Sequence, residues 1–174
     1  KLAQREGRDT HHDWSKTLQD ARDRARYELD KDHYDRSYRD PNAVVNALQR
    51  EDHRLVAKIQ LEGGARVHEA SRIQAHQLAG IQTTRQGQQL GVYCTHGKNG
   101  KIRAITVSPA TYRETEAFIA AKGQLAVDYD RYRDGLRAAA QASGQFQVIE
   151  VKGRTSGQPK PVQDWGGTHG LRYN

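Results

Sequence analysis

The chain has 174 residues, of which 35% are hydrophobic, and its mean hydropathy is −0.96. This length accommodates one domain with a modest core, and the low apolar content indicates that part of the chain is solvated helix or loop. No apolar run approaches the roughly 20 residues of a membrane span, no signal peptide is visible, and a single cysteine excludes an internal disulfide and the usual structural zinc site.

The net charge of +7 is confined to part of the chain. Residues 1–40 contain ten basic and ten acidic residues, whereas residues 41–174 contain 18 basic and 11 acidic ones. The surplus indicates either a polyanionic partner, most simply nucleic acid, or merely a basic surface.

Two further features bear on the origin of the chain. The lone Cys94 fits a reducing cytoplasm. The chain contains no methionine, so Lys1 is not a natural start. We therefore expect the chain to be a piece of a longer protein.

The first forty residues are charged and compatible with helix. One weak apolar stripe at helical spacing is formed by Leu18, Ala21, Ala25 and Leu29. We therefore expect a lightly anchored helix within residues 10–39, in a helical lead-in or linker that covers residues 1–40. Pro41 is the natural break after it.

The next segment carries signals for three consecutive helices. Asp40 as N-cap and Pro41 at the first helical position predict a helix through Leu48. Residues 51–62 have the apolar pattern of a buried helix, and the two glycines at 63 and 64 end it. We expect a further helix from Ala65 to Ile73.

A hairpin and a helix are predicted after that. Residues 90–95 and 102–107 are β-prone runs on either side of a turn that contains glycine and asparagine, which indicates an antiparallel hairpin. Ser108 is a suitable N-cap for a helix that extends to about Ala121.

The last part of the chain is less regular. Tyr129 to Ala142 is predicted to form a helix, and Gln147 to Val151 is a candidate strand. Residues 152–160 form a basic loop containing glycine and proline. This loop either orders on a partner or is an ordinary flexible loop.

Two familiar motifs fail on spacing. Gly97-Lys98 lacks the flanking glycine and the Ser/Thr that a phosphate-binding loop requires. His68-Glu69 lacks the second histidine of a zinc protease, because that position is Arg72. The remaining histidines show no ligand spacing, so we expect neither a metal nor a cofactor.

Three other segments carry a joint pattern. Residues 61–73 contain a glycine turn followed by Arg-x-x-Glu, with Arg66 and Glu69; residues 95–103 form a Gly/Lys-rich hairpin turn; residues 168–173 contain His-x-x-Arg, with His169 and Arg172. Each motif alone is weak. In this order, on the basic part of the chain, they resemble the first arginine box, the lysine-bearing hairpin and the second arginine box of tyrosine site-specific recombinases of the phage-integrase family.

The resemblance covers residues 41–174 and implies a fold. That fold is α+β and mainly α, a helical recombinase catalytic domain with a small antiparallel β-hairpin or sheet. Residues 1–40 match no part of the family.

The resemblance also implies a chemistry. In this family a tyrosine attacks a DNA phosphodiester, which forms a 3′-phosphotyrosyl link and frees a 5′-hydroxyl. Arg66 and Arg172 match the two residues that clamp the charged oxygens of the transition state. Guanidinium groups suit this role because they are planar, permanently charged and bidentate. Lys98 matches the lysine that protonates the leaving 5′-oxygen, and Lys101 is the second choice for that role.

The remaining implied roles are supporting ones. His169 matches the histidine that helps deprotonate the tyrosine or bonds the phosphate, and Glu69 orients active-site groups. Further candidate contacts to DNA are Lys101, Arg103, Lys152 and Arg154. Neither a metal nor a nucleotide is required, because the phosphotyrosine link conserves the energy of the broken bond.

The chain departs from the family pattern after the second box. A complete enzyme has another histidine or tryptophan there and then the nucleophilic tyrosine, and Tyr173 does not match that place. We therefore expect a C-terminally truncated piece that does not cleave DNA by itself. The other tyrosines that bear on this question are expected to serve packing or the surface: Tyr93, Tyr112, Tyr129 and Tyr132.

The expected partner is double-stranded DNA, in the cytoplasm of a bacterium, with no membrane. The resemblance implies a tetramer on DNA for the full-length protein and a monomer for this piece, in a phage or another mobile element. Three alternatives stay open: a type IB topoisomerase, a non-catalytic DNA-binding module with the same fold, and a basic nuclease toxin domain.

Overall fold

The structure is a computed structural model that describes residues 14–30, 37–97, 102–152, 159–164 and 166–173. The chain divides into two compact units, Lys1–Asp35 and Arg36–Asn174. In the first unit, helix α1 spans Trp14–Asp30, inside the range predicted to be helical. Its side chains from residue 15 to residue 24 are exposed, so the apolar stripe at Leu18 and Ala21 faces solvent.

The second unit contains the remaining described helices. They are α2 (Pro41–Ala47), α3 (Glu51–Gly63), α4 (Val67–Ala70), α5 (Pro109–Lys122) and α6 (Tyr129–Ala142). The predicted caps are confirmed: the Asp40 carboxylate accepts the N–H of Ala43 at 2.9 Å, and the Ser108 hydroxyl accepts the N–H of Thr111 at 3.2 Å.

The strands of this unit are short and antiparallel. They are β1 (Arg72–Gln74), β2 (Leu78–Thr83), β3 (Gln89–His96), β4 (Ile102–Val107), β5 (Gln124–Ala126), β6 (Gln147–Lys152) and β7 (Pro159–Asp164). β1 pairs with β5, β2–β3–β4 form a three-stranded sheet, and β6 pairs with β7. The predicted hairpin is thus confirmed as β3 and β4, in a sheet extended by a strand that the sequence did not signal.

The predicted helix from Ala65 to Ile73 is wrong. Only Val67–Ala70 is helical, and the chain then enters β1, where Ile73 lies opposite Leu125 in β5. Both side chains are fully buried. The helical periodicity of this short segment is therefore overridden by a non-local strand pair that brings Ile73 into the core.

The end of the chain also differs from expectation. The strand predicted from Gln147 is confirmed as β6, which Lys152 ends. The segment expected to be a loop over residues 152–160 is shorter, because Pro159 begins β7 and pairs with Lys152. Residues 153–158 lie outside the described residues, and with them Arg154.

The core of the second unit lies between the helices and the three-stranded sheet. Leu55, Val56 and Ile59 of α3 are buried in it together with Ile105 of β4. A side chain at Gly63 would collide with Ile105, so the glycine allows the end of α3 to lie directly on the sheet. The fold is α+β and mainly helical with small antiparallel sheets, as predicted. Among the described helices none is long and apolar enough to cross a membrane.

Candidate anion-binding site

The turn after α3 is the centre of the candidate site. Gly64 ends the helix in the left-handed conformation, with φ of 57°. Its carbonyl oxygen accepts a hydrogen bond from Nε of Arg172 at 3.0 Å and a longer one from Nη2 of Arg103 at 3.4 Å. Two guanidinium groups, one from β4 and one from the end of the chain, therefore converge on one oxygen atom.

Glu69 joins this turn to the sheet. Its side chain is only 1% exposed, and its Oε2 accepts the backbone N–H of Arg66 at 2.8 Å and Nη1 of Arg103 at 3.2 Å. A buried carboxylate is stable only when it is paired and hydrogen-bonded, and both conditions are met here. Among the described residues, the side chain that the Glu69 carboxylate contacts is that of Arg103.

Arg66 lies at the N-cap of α4 with an extended backbone, φ of −74° and ψ of 155°. Its side chain is half-buried and forms no ion pair with any residue that the structure describes. Arg66 follows Gly64 by two residues, so its backbone lies close to the Gly64 carbonyl that Arg172 contacts. Arg66, Glu69, Arg103 and Arg172 are thus brought to one region.

A buried polar network fixes this region from behind. The hydroxyl of Tyr132 in α6 donates to Oε1 of Gln60 at 2.6 Å, and Nε2 of Gln60 donates to the carbonyl oxygens of Thr168 at 3.1 Å and Ala65 at 3.4 Å. One side chain on α3 therefore connects the first arginine turn to the segment that carries the second arginine.

The 3-10 helix Gly167–Tyr173 carries the second box. Tyr38 donates its hydroxyl to the carbonyl of Gly167 at 3.0 Å, and Leu171 is fully buried in the core. His169 is exposed on the same 3-10 helix, three residues before Arg172. The anchored backbone and the buried Leu171 explain how a short irregular segment presents Arg172 to the turn.

Gln60 and Tyr132 were not predicted from the sequence to support the site. The available signal was a glutamine within the apolar run of α3, next to Ile59. A polar residue on the buried side of a helix requires hydrogen-bonding partners, but the sequence does not reveal which ones. Lys98, Lys101 and Arg154 lie outside the described residues, and Lys152 is described only as the last residue of β6.

The buried tyrosine hydroxyls are hydrogen-bonded within the core. Tyr38, Tyr93 and Tyr132 each donate a hydrogen bond, and burial raises the pKa of all three hydroxyls above the ordinary value. The Tyr112 hydroxyl accepts the N–H of Gly80 at 2.9 Å. Tyr129 is 50% exposed and its hydroxyl lies 3.3 Å from Oγ1 of Thr168.

The charges in this region favour an anion. Within the described part of the chain, Glu69 is the carboxylate that contacts these arginines, through Arg103, so Arg66, Arg103 and Arg172 give the region a positive surplus. Guanidinium groups bind planar or tetrahedral oxyanions with paired N–H donors. The described residues hold no cluster of His, Cys, Asp or Glu able to bind a metal ion.

Comparison with known families and with curated proteins finds no match to the sequence. A solved structure does match: the XerH site-specific recombinase bound to palindromic difH substrate, in a post-cleavage complex, with a TM-score of 0.53 and 13% identity. The match covers 79% of this chain and 39% of the XerH chain, so the chain spans well under half of that protein. At this identity the likeness concerns the fold, and the chain therefore has a fold like that of the XerH site-specific recombinase.

Proposed function

We propose that the chain is the catalytic domain, incomplete with respect to the nucleophile, of a bacterial site-specific DNA recombinase. The observation that carries the proposal is the hydrogen bond from Arg172 to the carbonyl of Gly64, 108 residues away in sequence. Arg172 thus contacts the turn that lies two residues before Arg66, in a fold similar to that of a recombinase. We infer that the two side chains together form a phosphate clamp.

The proposed mechanism is attack of a tyrosine hydroxyl on a DNA phosphodiester. The phosphorus–O5′ bond breaks, a 3′-phosphotyrosyl bond forms, and the leaving 5′-oxygen takes a proton from Lys98 or Lys101. Arg66 and Arg172 neutralise the charge that develops on the non-bridging oxygens, and His169 assists the tyrosine or bonds the phosphate. Reversal of the same steps by another 5′-hydroxyl rejoins the strand.

Under this proposal none of the eight tyrosines of the chain is the nucleophile. Tyr38, Tyr93 and Tyr132 are buried hydrogen-bond donors, which supports that assignment. We assign the catalytic domain to residues 41–174 and a charged helical lead-in to residues 1–40, although Tyr38 already packs in the core.

The proposed partner is double-stranded DNA of a phage or another mobile element. Lys152, the last residue of β6, and Arg154 are proposed to contact its backbone together with the residues of the clamp. The full-length enzyme is proposed to act as a tetramer on DNA, and this chain to be monomeric without it. Both assembly states are measured by sedimentation with and without duplex DNA.

A non-catalytic DNA-binding module is the alternative. It is favoured by the hydroxyls of Tyr93 and Tyr132, which donate hydrogen bonds to Thr111 and Gln60 inside the core. A type IB topoisomerase shares the phosphate chemistry, but it relaxes supercoiled DNA without a specific site.

The test begins with genomic fragments that the protein selects, which are then rebuilt as nicked suicide substrates. The protein is used in the length that its gene encodes. A covalent protein–DNA adduct that is lost in Arg66→Ala and retained in Arg113→Ala supports the recombinase. Binding without any adduct supports the DNA-binding module, and a metal-dependent nick without an adduct supports a nuclease.

A further inference from the structure

Arg103 lies at the candidate site, although it belongs to none of the three motifs as their reactive residue. It is a residue of β4, and its guanidinium bridges the Glu69 carboxylate and the Gly64 carbonyl. We propose that Arg103 is a third phosphate-binding arginine of this site, held in position by Glu69 and Gly64. This inference rests on the proposed function, because the phosphate is that of the DNA backbone.

Several guanidinium N–H donors of Arg103 and Arg172 are left over after the contacts with Glu69 and Gly64. A guanidinium has five N–H donors in one plane. Arg103 directs one Nη to Glu69 and the other to Gly64, and Arg172 directs only Nε to Gly64. Within the described part of the chain, the other donors of both side chains have no protein acceptor. The Arg103 side chain is 39% exposed, so these donors are accessible to a ligand.

The charges of Arg103 and Arg172 also favour an anion between them. Arg103 and Arg172 approach the same carbonyl oxygen, so two permanent cations lie close together. Glu69 is the carboxylate that contacts this pair, and it contacts Arg103 alone. The repulsion that remains between the two cations is relieved when an oxyanion binds between them, which makes the unliganded arrangement a preorganised receptor for an anion.

Thr95, next to Arg103 in the sheet, has a buried hydroxyl that needs a hydrogen-bond partner. Thr95 in β3 lies directly opposite Arg103 in the antiparallel pair, so both side chains are on the same face of the sheet. Thr95 is buried, and its hydroxyl has no hydrogen-bond partner among the residues that the structure describes. A buried hydroxyl without a partner is costly, and a bound ion or water at this place would satisfy it.

The competing explanation is that Arg103 only neutralises the buried charge of Glu69. The two explanations separate when Glu69 is made neutral first. In Glu69→Gln the amide oxygen still accepts the N–H of Arg66, and no buried charge remains to be paired. Removing Arg103 from this background then tests phosphate binding without leaving an unpaired carboxylate. Arg113, exposed on α5 and outside the site, gives a control with the same change of net charge.

The experiment titrates the 174-residue chain with inorganic phosphate and follows the arginine Nε–H resonances by NMR. The variants are Glu69→Gln, Glu69→Gln/Arg103→Ala, Arg103→Lys, Arg66→Ala, Arg172→Ala and Arg113→Ala, each first checked for a folded amide spectrum. We expect the double variant to bind phosphate about tenfold more weakly than Glu69→Gln, the loss of one charge-assisted contact. Arg103→Lys should bind with intermediate affinity, and Arg113→Ala like the wild type.

Equal affinity of Glu69→Gln and the double variant overturns the role of Arg103. If Arg66→Ala and Arg172→Ala lose phosphate binding in the same series, the proposed clamp of these two arginines is supported and only the role of Arg103 is overturned. If the wild type binds neither phosphate nor duplex DNA, the proposed function fails and the inference fails with it.

Discussion

The hydroxyl of Tyr132 donates a 2.6 Å hydrogen bond to Oε1 of Gln60, and both residues are fully buried. The amide of Gln60 is thereby oriented with its nitrogen towards the carbonyls of Ala65 and Thr168. An amide has two distinct ends, so the tyrosine decides which end faces the arginine-bearing segments. A buried contact behind the candidate site thus helps to hold the two segments that carry its arginines.

We predict that Tyr132→Phe lowers the free energy of unfolding by about 1–3 kcal/mol, because it leaves the buried Oε1 of Gln60 without a donor. Urea denaturation measures this change. Tyr129→Phe is the matched control, since it removes the same atom from a side chain that is 50% exposed, and it should cost about 0.5 kcal/mol or less. Equal losses of unfolding free energy in the two variants would show that the buried hydrogen bond contributes no more to stability than the exposed one.

The two glycines that end α3 should respond differently to alanine. At Gly63 the new Cβ collides with Ile105, and overpacking of this kind costs about 1–3 kcal/mol. At Gly64 the Cβ meets nothing within 4 Å, and the left-handed backbone alone costs about 1–2 kcal/mol for an L-residue. Thermal unfolding of the two variants should therefore rank Gly63→Ala as the less stable. The opposite ranking would contradict the close approach of α3 to the sheet.

Stability should depend on pH through His53. Burial lowers the pKa of this side chain below its ordinary value of 6.5, with Arg50 acting in the same direction and Asp52 against it. As the pH falls, the unfolded chain therefore takes up the proton before the folded protein does. The free energy of unfolding is highest above about pH 6.5 and decreases as the pH falls from there towards the lowered pKa.

Urea denaturation between pH 7.5 and pH 5 measures this dependence. In His53→Gln the slope over this interval should flatten, whatever the absolute stability of the variant. His76→Gln, in which an exposed histidine is removed, should keep the wild-type slope. A His53→Gln slope equal to that of the wild type would show that other groups control the pH dependence.

Duplex DNA binding should weaken steeply with salt, because each phosphate contact releases counterions. Fluorescence anisotropy at several salt concentrations gives the slope of log affinity against log salt. Arg172→Ala should make that slope shallower by about 0.9, the value for one phosphate contact in duplex DNA. Arg133→Ala removes an arginine already paired with Asp130 and Asp134, so it should change the slope little. Affinity that is flat with salt would exclude a surface that follows the DNA backbone.

Local signals were sufficient for much of the fold. Asp40 and Ser108 mark helix starts through capping chemistry that acts over a few residues, and in the structure each helix begins at the next residue. The hairpin of β3 and β4 followed from two β-prone runs and a short turn, which is again a local pattern. The pattern of three motifs predicted the class of fold that the comparison with XerH supports.

What the amino-acid sequence determined by itself was therefore a set of local features, namely the capped helix starts and the β3–β4 hairpin, together with the order of the motif residues. Only the tertiary structure decided that residues 72–74 leave the helix to pair with β5, that Gln60 connects Ala65 to Thr168, and that Arg103 joins Arg172 at Gly64. Each of these contacts joins residues that are far apart along the chain or overrides a local preference. Such contacts form because burial of Ile73 and Leu125 and satisfaction of buried polar groups outweigh the weak propensities of short segments.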